Sequence, residues 1–476
     1  VALLLIAVPA WAAPGAGSSA RSASGAGTHS GRVTTRAGGT ACQAARYRLE
    51  PLAEAERQAA ALVRRMTLAQ ELDLMDGVGP YPAPAHTVGA TAAIPSLGVP
   101  ALTEQDGPAG VGDGVGGVTQ LPAPEALAAT FDPAAAACYG QVIGAEARRK
   151  GIDLVYGPTV NIVRVPQWGR AFESLGEDPV LAGDIGTAEV GGLQRTGTMA
   201  QVKHYAVYNQ ETYRMTPADD AVVGAKALHE IYLRAWDQIA AAGPASVMCS
   251  YSTINGSAAC ENRSLIRDHL DGEVGFTGFV GSDYYAPGST VGSAEAGLDQ
   301  EQPIPLHYGS SLAAAVEDGR VPRSTVDEAA RRVLAELFRF GVAGRRPTGG
   351  ITDLAATPGD AAVAQSVAEE GTVLLRNRAG TLPLDPHRAG RLAVVGPAAD
   401  DPVTTGGGSA IVTATATVSP LAGIEAAVGR DRVTAAPGLP EPGEFTPIPA
   451  AAAPLETTAA DGVEAPSLRL TAPETG

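Results

Sequence analysis

The chain has 476 residues, of which 45% are hydrophobic, and it contains 58 Gly and 36 Pro. This composition suits a large α/β protein of two or more domains rather than one with a single core. The chain has 34 Lys and Arg but 51 Asp and Glu, which gives a formal net charge of -17. A phosphate backbone or an anionic membrane would repel this charge, so nucleic acid and membrane surfaces are not expected partners.

The beginning of the chain predicts export. Val1 to Ala10 is an apolar run, and Ala10-Trp11-Ala12 is the small-x-small pattern that signal peptidase accepts. Residues 1–12 are therefore predicted to be a clipped signal peptide of a secreted, extracellular protein; the alternative is a buried apolar strand. The run is shorter than the roughly 20 residues that span a bilayer. Residues 13–50 are rich in Gly, Ser, Ala and Thr and predict a disordered leader.

The cysteines agree with export. The chain has four, Cys42, Cys138, Cys249 and Cys260, and an even number in an exported protein is consistent with two disulfides. Cys249 and Cys260 are the better candidate pair, because the turn dipeptide Asn255-Gly256 lies between them. Metal ligation is the weaker alternative, because the sequence has no CxxC or Cys/His cluster.

Residues 51–340 alternate between apolar runs and amphipathic stretches. A capping box, Thr67 to Gln70, opens an early helix. Repeated strand-then-helix patterns favour a parallel (β/α)8 TIM-type barrel, and a doubly wound sheet stays open as an alternative. The predicted elements after that helix are a strand at Val99–Thr103, a helix at Ala134–Lys150, strands at Ile152–Tyr156 and Met199–Lys203, a helix at Ala225–Ala242, strands at Ala245–Cys249 and Thr277–Asp283, and a helix at Thr325–Phe340.

Polar residues cluster where these predicted strands end. Glu104-Gln105-Asp106, Lys203-His204, Ser250-Tyr251 and Asp283 each follow or end an apolar run. Barrel active sites are built at the carboxyl ends of the strands. These residues are therefore expected to meet at one site.

A second α/β unit follows the barrel. Residues 341–360 contain Pro347 and several Gly and predict a linker. Residues 361–437 begin with a predicted helix and strand at Ala361–Leu375, continue with a strand at Leu392–Gly396, and include the tight Gly-rich loop Gly406–Ser409. From residue 438 to 476 the chain is rich in Pro, Ala and Thr.

Five segments together resemble glycoside hydrolase family 3, in the order and spacing of that family. They are Thr103-Glu104-Gln105-Asp106-Gly107-Pro108, Gly157-Pro158-Thr159 with Gly169-Arg170-Ala171-Phe172-Glu173, Val202-Lys203-His204-Tyr205 with Arg214, Val247-Met248-Cys249-Ser250-Tyr251, and Gly278-Phe279-Val280-Gly281-Ser282-Asp283.

The resemblance implies a retaining, exo-acting β-glucosidase with Asp283 as its catalytic nucleophile. It also implies that residues 361–437 begin an α/β sandwich domain, and that residues 438–476 begin an inserted, β-rich, protective-antigen-like sugar-binding module. Such barrel glycosidases need no metal or organic cofactor, and the small-molecule partner is a β-glycoside. The residues implied to contact the sugar are Asp106, Arg170, Lys203, His204, Arg214, Tyr251 and Ser409.

A retaining glycosidase needs a second carboxyl group that acts as acid and base. The family resemblance implies a glutamate of the sandwich domain, and none of the glutamates after Ser409 matches its surroundings. The acid/base is therefore expected beyond residue 476, and the chain alone is expected to be a poor catalyst. Tyr284 and Tyr213 replace the family's usual Trp and Asn, which leaves the aglycone open.

Each candidate residue also has a structural interpretation. An Asp after a strand is often a helix cap, and Arg170 could form a surface ion pair with Glu173 or Glu177. Lys203 could form a Schiff base, so an aldolase is a competing class of enzyme. A β-xylosidase or exo-glucanase of the same family and a sugar-binding protein without turnover also stay open. The sequence does not indicate the oligomeric state.

Overall fold

The computed structural model describes residue 42 and residues 47–80, 87–344 and 349–438. The predicted signal peptide, most of the predicted leader and the predicted module after residue 438 lie outside this range. The chain divides into two compact units. Among the described residues, the larger unit runs to Ala379 and includes Val403–Thr417, and the smaller one comprises Gly380–Pro402 and the chain from Val418. No helix in these described ranges is both long and apolar enough to cross a bilayer.

The larger unit alternates strands and helices. Its strands are β1 (Gly89–Ala90), β2 (Thr103–Asp106), β3 (Leu154–Thr159), β4 (Met199–Tyr205), β5 (Asp220–Ala221), β6 (Ser246–Cys249), β7 (Thr253–Ile254), β8 (Ser257–Ala258) and β9 (Phe279–Ser282). Its α-helices are α1 (Leu52–Val63), α2 (Leu68–Met75), α3 (Pro124–Ala128), α4 (Pro133–Arg149), α5 (Pro179–Gln194), α6 (Ala225–Ala227), α7 (Arg234–Ala241), α8 (Thr290–Ala296), α9 (Gly309–Glu317), α10 (Arg323–Arg339) and α11 (Pro358–Glu370).

The main sheet closes on itself. Six strands pair in the order β1-β2-β3-β4-β6-β9, and all neighbours are parallel except β1 and β2. Gly281 in β9 bridges Gln300, Glu301 bridges Asp76, and Gly77 bridges Thr91 beside β1. These bridges close the sheet into a complete barrel, in which residues 300–301 and 76–77 take the places of two short strands. The α/β barrel class predicted from the sequence is confirmed, with the difference that β1 runs antiparallel to its neighbours.

The two faces of the barrel strands pack into separate apolar clusters. Val155 and Val247 belong to the cluster that includes residues of α4, α5 and α7. Leu154 and Met248 are each one residue away along their strands, and they belong to the cluster that includes residues of α1 and α10. Successive strand residues point to opposite faces, so this alternation follows from the strand period of two. Burial on both faces explains why the strands appear as nearly continuous apolar runs in the sequence.

Several predicted element boundaries were wrong. The first predicted strand, Val99–Thr103, is instead β2, which begins at Thr103 and contains Asp106. Strand β4 extends past Lys203 to Tyr205. In both strands the backbone hydrogen bonding continues through polar residues, because strand pairing does not require apolar side chains. Val373, Leu374 and Leu375, predicted as a strand, are exposed and form no strand.

The helix predicted at Ala225–Ala242 is broken into pieces. Helix α6 leads into a π-helical stretch at Leu228–Tyr232, and α7 follows from Arg234. A second π-helical stretch runs from Ser264 to Glu273. A π-helical turn holds more residues than an α-helical one and often occurs at functional sites.

Both cysteine pairs form disulfides. Cys249, at the end of β6, is bonded to Cys260, and Asn255 and Gly256 form the turn between β7 and β8 inside this loop. Cys42 is bonded to Cys138 of α4, with their Cα atoms 5.5 Å apart. The start of the described chain is thus attached to the barrel.

The smaller unit contains a parallel pair of strands, β10 (Leu392–Val395) and β11 (Val433–Ala436), with helix α12 (Pro420–Val428) between them in the chain. Ser419 caps α12 by accepting the Ala422 N–H at 3.1 Å. This is a single β-α-β crossover, as expected for parallel strands. Assignment of this region to an α/β sandwich stays a prediction.

Candidate active site

A cavity of about 300 Å³ opens at the carboxyl ends of the barrel strands. All the catalytic and sugar-binding candidates named from the sequence line it, together with several residues that were not singled out. The lining residues are Asp106, Tyr156, Gly169, Arg170, Phe172, Glu173, Lys203, His204, Arg214, Met248, Tyr251, Asp283, Tyr284, Gly406, Gly407, Gly408 and Ser409. Side chains more than 300 positions apart in the chain therefore meet in one place.

Asp283 follows β9 directly, which carries its carboxylate to the cavity. Its Oδ1 accepts the Tyr284 N–H at 2.7 Å. Its Oδ2 is buried and has no hydrogen bond of ordinary geometry among the described residues. The Nε2 atom of His204 lies 3.5 Å from this oxygen. One oxygen of Asp283 is thus held in place while the other faces the cavity.

Lys203 joins Asp106 to the Gly-rich loop. Its Nζ donates to Asp106 Oδ1 at 3.1 Å and to Ser409 Oγ at 3.4 Å. The Lys203 side chain is 2% exposed. Asp106 ends β2 and Lys203 lies in β4, so the barrel itself fixes the spacing of this ion pair.

A chain of hydrogen bonds fixes the tautomer of His204. Asn161 Nδ2 donates to the backbone carbonyl of His204, so Asn161 Oδ1 is the acceptor that faces the ring. His204 Nδ1 lies 2.9 Å from that oxygen and must be the N–H donor. Nε2 then carries a lone pair, which accepts from Arg170 Nη2 at 3.0 Å. Arg170 also pairs with Glu173 and donates to Ser409 Oγ at 3.2 Å.

Aromatic rings form another wall of the cavity. The Arg214 guanidinium lies 4.5 Å from the centre of the Tyr251 ring. Arg214 also donates to Glu211 at 2.8 Å and to the Tyr208 hydroxyl at 3.2 Å. The rings of Tyr208 and Tyr251 meet edge to face at 5.7 Å. Sugar rings with apolar C–H faces pack well on such surfaces.

Burial dominates the electrostatics of the cavity. It raises the pKa of Asp106 to about 6, although Lys203 acts in the opposite direction. Burial also raises the pKa of Asp283, against the lowering effect of Arg170, Tyr251 and Lys203. The desolvation of both carboxylates therefore outweighs the opposing charges of the neighbouring cations. Burial is the main cause that holds the pKa of His204 well below its ordinary value, and the positive charge of Arg170 is the next. The His204 ring is therefore neutral.

Sequence reasoning missed the residues that support this cavity. Asn161 orients His204, and the Tyr156 hydroxyl donates to the buried Glu104 at 2.5 Å. Phe172 lies beside Gly406, where a Cβ atom would collide with its ring. Asn161 and Phe172 both lie within or next to the quoted segments, so motif position could have identified them. Nothing in the sequence indicates the role of Tyr156 inside the barrel.

The match to known families agrees with this architecture. Residues 86–335 match the Glycosyl hydrolase family 3 N terminal domain, and residues 372–467 match the Glycosyl hydrolase family 3 C-terminal domain. The first match alone covers more than half of the chain. The chain belongs to glycosyl hydrolase family 3, and the resemblance stated from the sequence is confirmed.

The chain is similar to named relatives within this family. It is 38% identical over 378 residues to a beta-glucosidase of Rhizobium radiobacter, a match that covers 77% of this chain and 44% of the relative. It is 36% identical over 381 residues to beta-glucosidase B of Emericella nidulans, covering 78% of this chain and 44% of that relative. The chain thus spans less than half the length of these relatives.

Solved structures give the same result for the fold. The structure of DesR, a beta-glucosidase from Streptomyces venezuelae in complex with D-glucose, superimposes with a TM-score of 0.74 at 36% identity, covering 79% of this chain and 50% of that one. Beta-D-glucoside glucohydrolase from Trichoderma reesei gives a TM-score of 0.76 at 30% identity, with 82% and 57% covered.

Proposed function

We propose that the whole protein is a secreted, retaining, exo-acting β-glucosidase that removes terminal β-D-glucosyl residues from small β-glycosides. Asp283 is its nucleophile, and Asp106, Arg170, Lys203, His204, Arg214, Tyr251 and Ser409 bind the glucosyl unit. The names of the relatives and the glucose-bound neighbour support glucose as the sugar. The two disulfides support an oxidising destination outside the cytoplasm.

The observation that carries this proposal is the Asp283 carboxylate, which lines the cavity at the end of β9 and has one oxygen, Oδ2, without a hydrogen bond of ordinary geometry among the described residues. Retaining glycosidases attack the anomeric carbon with one carboxylate oxygen and form a covalent glycosyl-enzyme. A nucleophile must offer a lone pair to the substrate, and the neighbouring His204 and Tyr251 side chains leave room for that. Asp283 offers one oxygen to the cavity and has the other fixed by a backbone N–H.

The remaining polar groups suit a sugar that develops positive charge. Carboxylates at Asp106 and Asp283 stabilise an oxocarbenium-like ring electrostatically, and Asp106 can accept hydrogen bonds from sugar hydroxyls. The neutral His204 adds no positive charge beside the ring. Arg170 and Lys203 can donate to hydroxyl oxygens of the sugar when their hydrogen bonds to Ser409 break.

The described residues offer no evident general acid. Three carboxylates line the cavity, and Asp106 and Glu173 are each paired with a cation, Lys203 and Arg170 respectively. The roles proposed for them, binding of the sugar by Asp106 and support of Arg170 by Glu173, leave neither as the proton donor. We assign the acid/base to a part of the protein outside the described residues, and we expect the described residues alone to react only with substrates whose leaving group needs no protonation.

The aldolase alternative is disfavoured by the contacts of Lys203. A Schiff base requires a neutral, free amine, whereas Lys203 Nζ is bonded to the Asp106 carboxylate and to Ser409. A sugar-binding protein without turnover would have no need of a carboxylate held by a backbone N–H at the floor of the sugar cavity. A β-xylosidase or exo-glucanase shares the same contacts and is separated by substrate profiling.

The test is covalent labelling with 2-fluoro-β-glucosyl fluoride, whose good leaving group makes protonation unnecessary. Mass spectrometry of the digested protein should find one glycosyl group on the peptide that carries Asp283, and Asp283→Asn should abolish the label. A matched control, Glu177→Gln, replaces an exposed acid outside the cavity and should label normally. Label on another carboxylate, or the same label in Asp283→Asn, would overturn the assignment.

A further inference from the structure

A cluster of histidine and carboxylate side chains lies on the two π-helical stretches, away from the sugar cavity. One ligand atom from each of His229, His269 and Glu273 lies within 4.8 Å of the others. Asp237 of α7 lies next to this cluster, with its Oδ1 atom 3.2 Å from His269 Nε2. None of these four residues lines the cavity described above.

The spacing along the chain explains why these side chains converge. His269 and Glu273 are four positions apart in the π-helical stretch from Ser264 to Glu273, where four residues make about one turn. His229 and Asp237 are eight positions apart, which is about two turns of helix. Each pair therefore lies on one face of its helical stretch, and the two faces oppose each other.

The contacts of His269 show which nitrogen faces the cluster. The Tyr205 hydroxyl lies within hydrogen-bond distance of the Leu265 carbonyl, at 2.8 Å. His269 Nδ1 also lies 2.8 Å from this hydroxyl, so it donates to the Tyr205 oxygen in one tautomer and accepts its proton in the other. In the first tautomer Nε2 carries a lone pair beside the Asp237 carboxylate, which is the arrangement that a bound cation requires.

We propose that His229, Asp237, His269 and Glu273 bind a Zn²⁺ ion. Two imidazoles and two carboxylates are a donor set that zinc accepts in tetrahedral geometry, with bonds of about 2.0 to 2.2 Å. Tetrahedral ligands at that bond length are about 3.3 Å apart, close to the observed 3.2 Å between His269 Nε2 and Asp237 Oδ1. His229 and Glu273 are exposed, so their side chains can rotate to complete the tetrahedron.

Tyr205 is the positioning residue of this site. By accepting from Nδ1, its hydroxyl holds the His269 ring in the orientation and tautomer that zinc ligation requires, which is the usual role of a hydrogen bond to the second nitrogen of a metal-bound histidine. Zinc at this point joins the stretch that contains His229 to the one that contains His269. The ion therefore stabilises two irregular helices on the outside of the barrel and takes no part in the reaction at Asp283.

The test is a zinc titration of the tag-free 476-residue chain by calorimetry at pH 7.5. We expect saturable binding of one Zn²⁺ and at least a tenfold loss of affinity in His229→Ala and in Glu273→Gln. Glu230→Gln is the matched control, because Glu230 is an exposed acid next to His229 that lies outside the cluster. It should bind zinc as the unchanged chain does. Circular dichroism of each variant checks that the fold is retained.

The alternative is that His269 carries its proton on Nε2 and donates it to Asp237, without any metal. Nitrogen-15 NMR of the histidine rings in the metal-free chain distinguishes the two. An unprotonated Nε2 in His269 whose nitrogen-15 chemical shift changes when Zn²⁺ is added supports the site. A protonated Nε2 that zinc does not displace, the absence of saturable binding, or unchanged affinity in both His229→Ala and Glu273→Gln would overturn it. Since the cluster is separate from Asp283, neither result depends on the labelling experiment.

Discussion

Sugar binding by this chain should depend on pH through Asp106. Burial raises the pKa of this carboxyl to about 6, above its ordinary value of 3.8. The ionised form of Asp106 is therefore the main form above pH 6 and is lost below it. Only this form offers both carboxylate oxygens as hydrogen-bond acceptors to a sugar. At pH 5 only about one molecule in eleven has Asp106 ionised, which predicts a roughly tenfold weaker affinity for glucose than at pH 7.

The assay is calorimetric titration with glucose at several pH values between 5 and 8. Asp106→Asn loses a hydrogen bond to a charged group, which contributes about 1.5 to 3 kcal/mol. Its affinity for glucose at pH 7 should therefore be roughly 10-fold to 150-fold lower. Its affinity should also fall less between pH 7 and pH 5 than that of the unchanged chain. Any remaining slope is the contribution of Asp283, whose pKa burial also raises.

Glu177→Gln again serves as the control, because this exposed acid is outside the cavity and should leave both affinity and slope unchanged. Equal affinities for glucose at pH 5 and pH 7 in the unchanged chain would refute the reasoning. The same conclusion would hold if Asp106→Asn bound as tightly as the unchanged chain and kept its full slope.

Three further outcomes are expected. Ser409→Ala removes a hydroxyl that accepts hydrogen bonds from Arg170 and Lys203 and is proposed to bind the sugar. Glucose affinity should therefore fall by about 1 kcal/mol, or several-fold, in the same titration. Burial raises the pKa of Glu189 to about 8 from 4.5, so the protonated form of Glu189 stabilises the fold at low pH, and this stability is lost as pH rises toward 8. In denaturant unfolding, the free energy of Glu189→Gln should therefore change less between pH 5 and pH 8, by about 3 to 4 kcal/mol. Replacing Cys249 and Cys260 together by Ser opens a loop with a sequence separation of 11, which should lower the unfolding free energy by about 3 kcal/mol in the same experiment.

The barrel and the meeting point of the site residues could be predicted because two simple rules apply to them. Buried parallel strands are continuous apolar runs, and the polar residues that end those runs must share one edge of the sheet. Asp283 and Tyr251 illustrate this, since each closely follows a strand. The same rules misplaced the start of β2, because Glu104 and Gln105 are polar residues buried inside the barrel.

Other features depend on contacts that no local pattern encodes. Strand β1 is only two residues long, so the sequence gives no signal for its antiparallel direction. Asn161 and His204 are distant in the chain, and their hydrogen bonds exist only because β3 and β4 are neighbours. The His229 and His269 cluster was missed for the same reason: His229 is distant in the chain from His269 and Glu273, and the three converge only because two π-helical stretches lie side by side.

The charges of the cavity also affect the glycosyl-enzyme that attack by Asp283 would form. The negative charge of Asp283 is one of the influences that raise the pKa of Asp106. When Asp283 becomes an ester in the glycosyl-enzyme, that charge disappears while Lys203 remains beside Asp106. The pKa of Asp106 must then fall, so Asp106 is more fully ionised in the intermediate than in the free protein. If Asp106 holds the sugar hydroxyls as proposed, it binds them more firmly once the covalent bond has formed, and retention of the glucosyl unit in the labelled chain should be less sensitive to acid than the binding of free glucose.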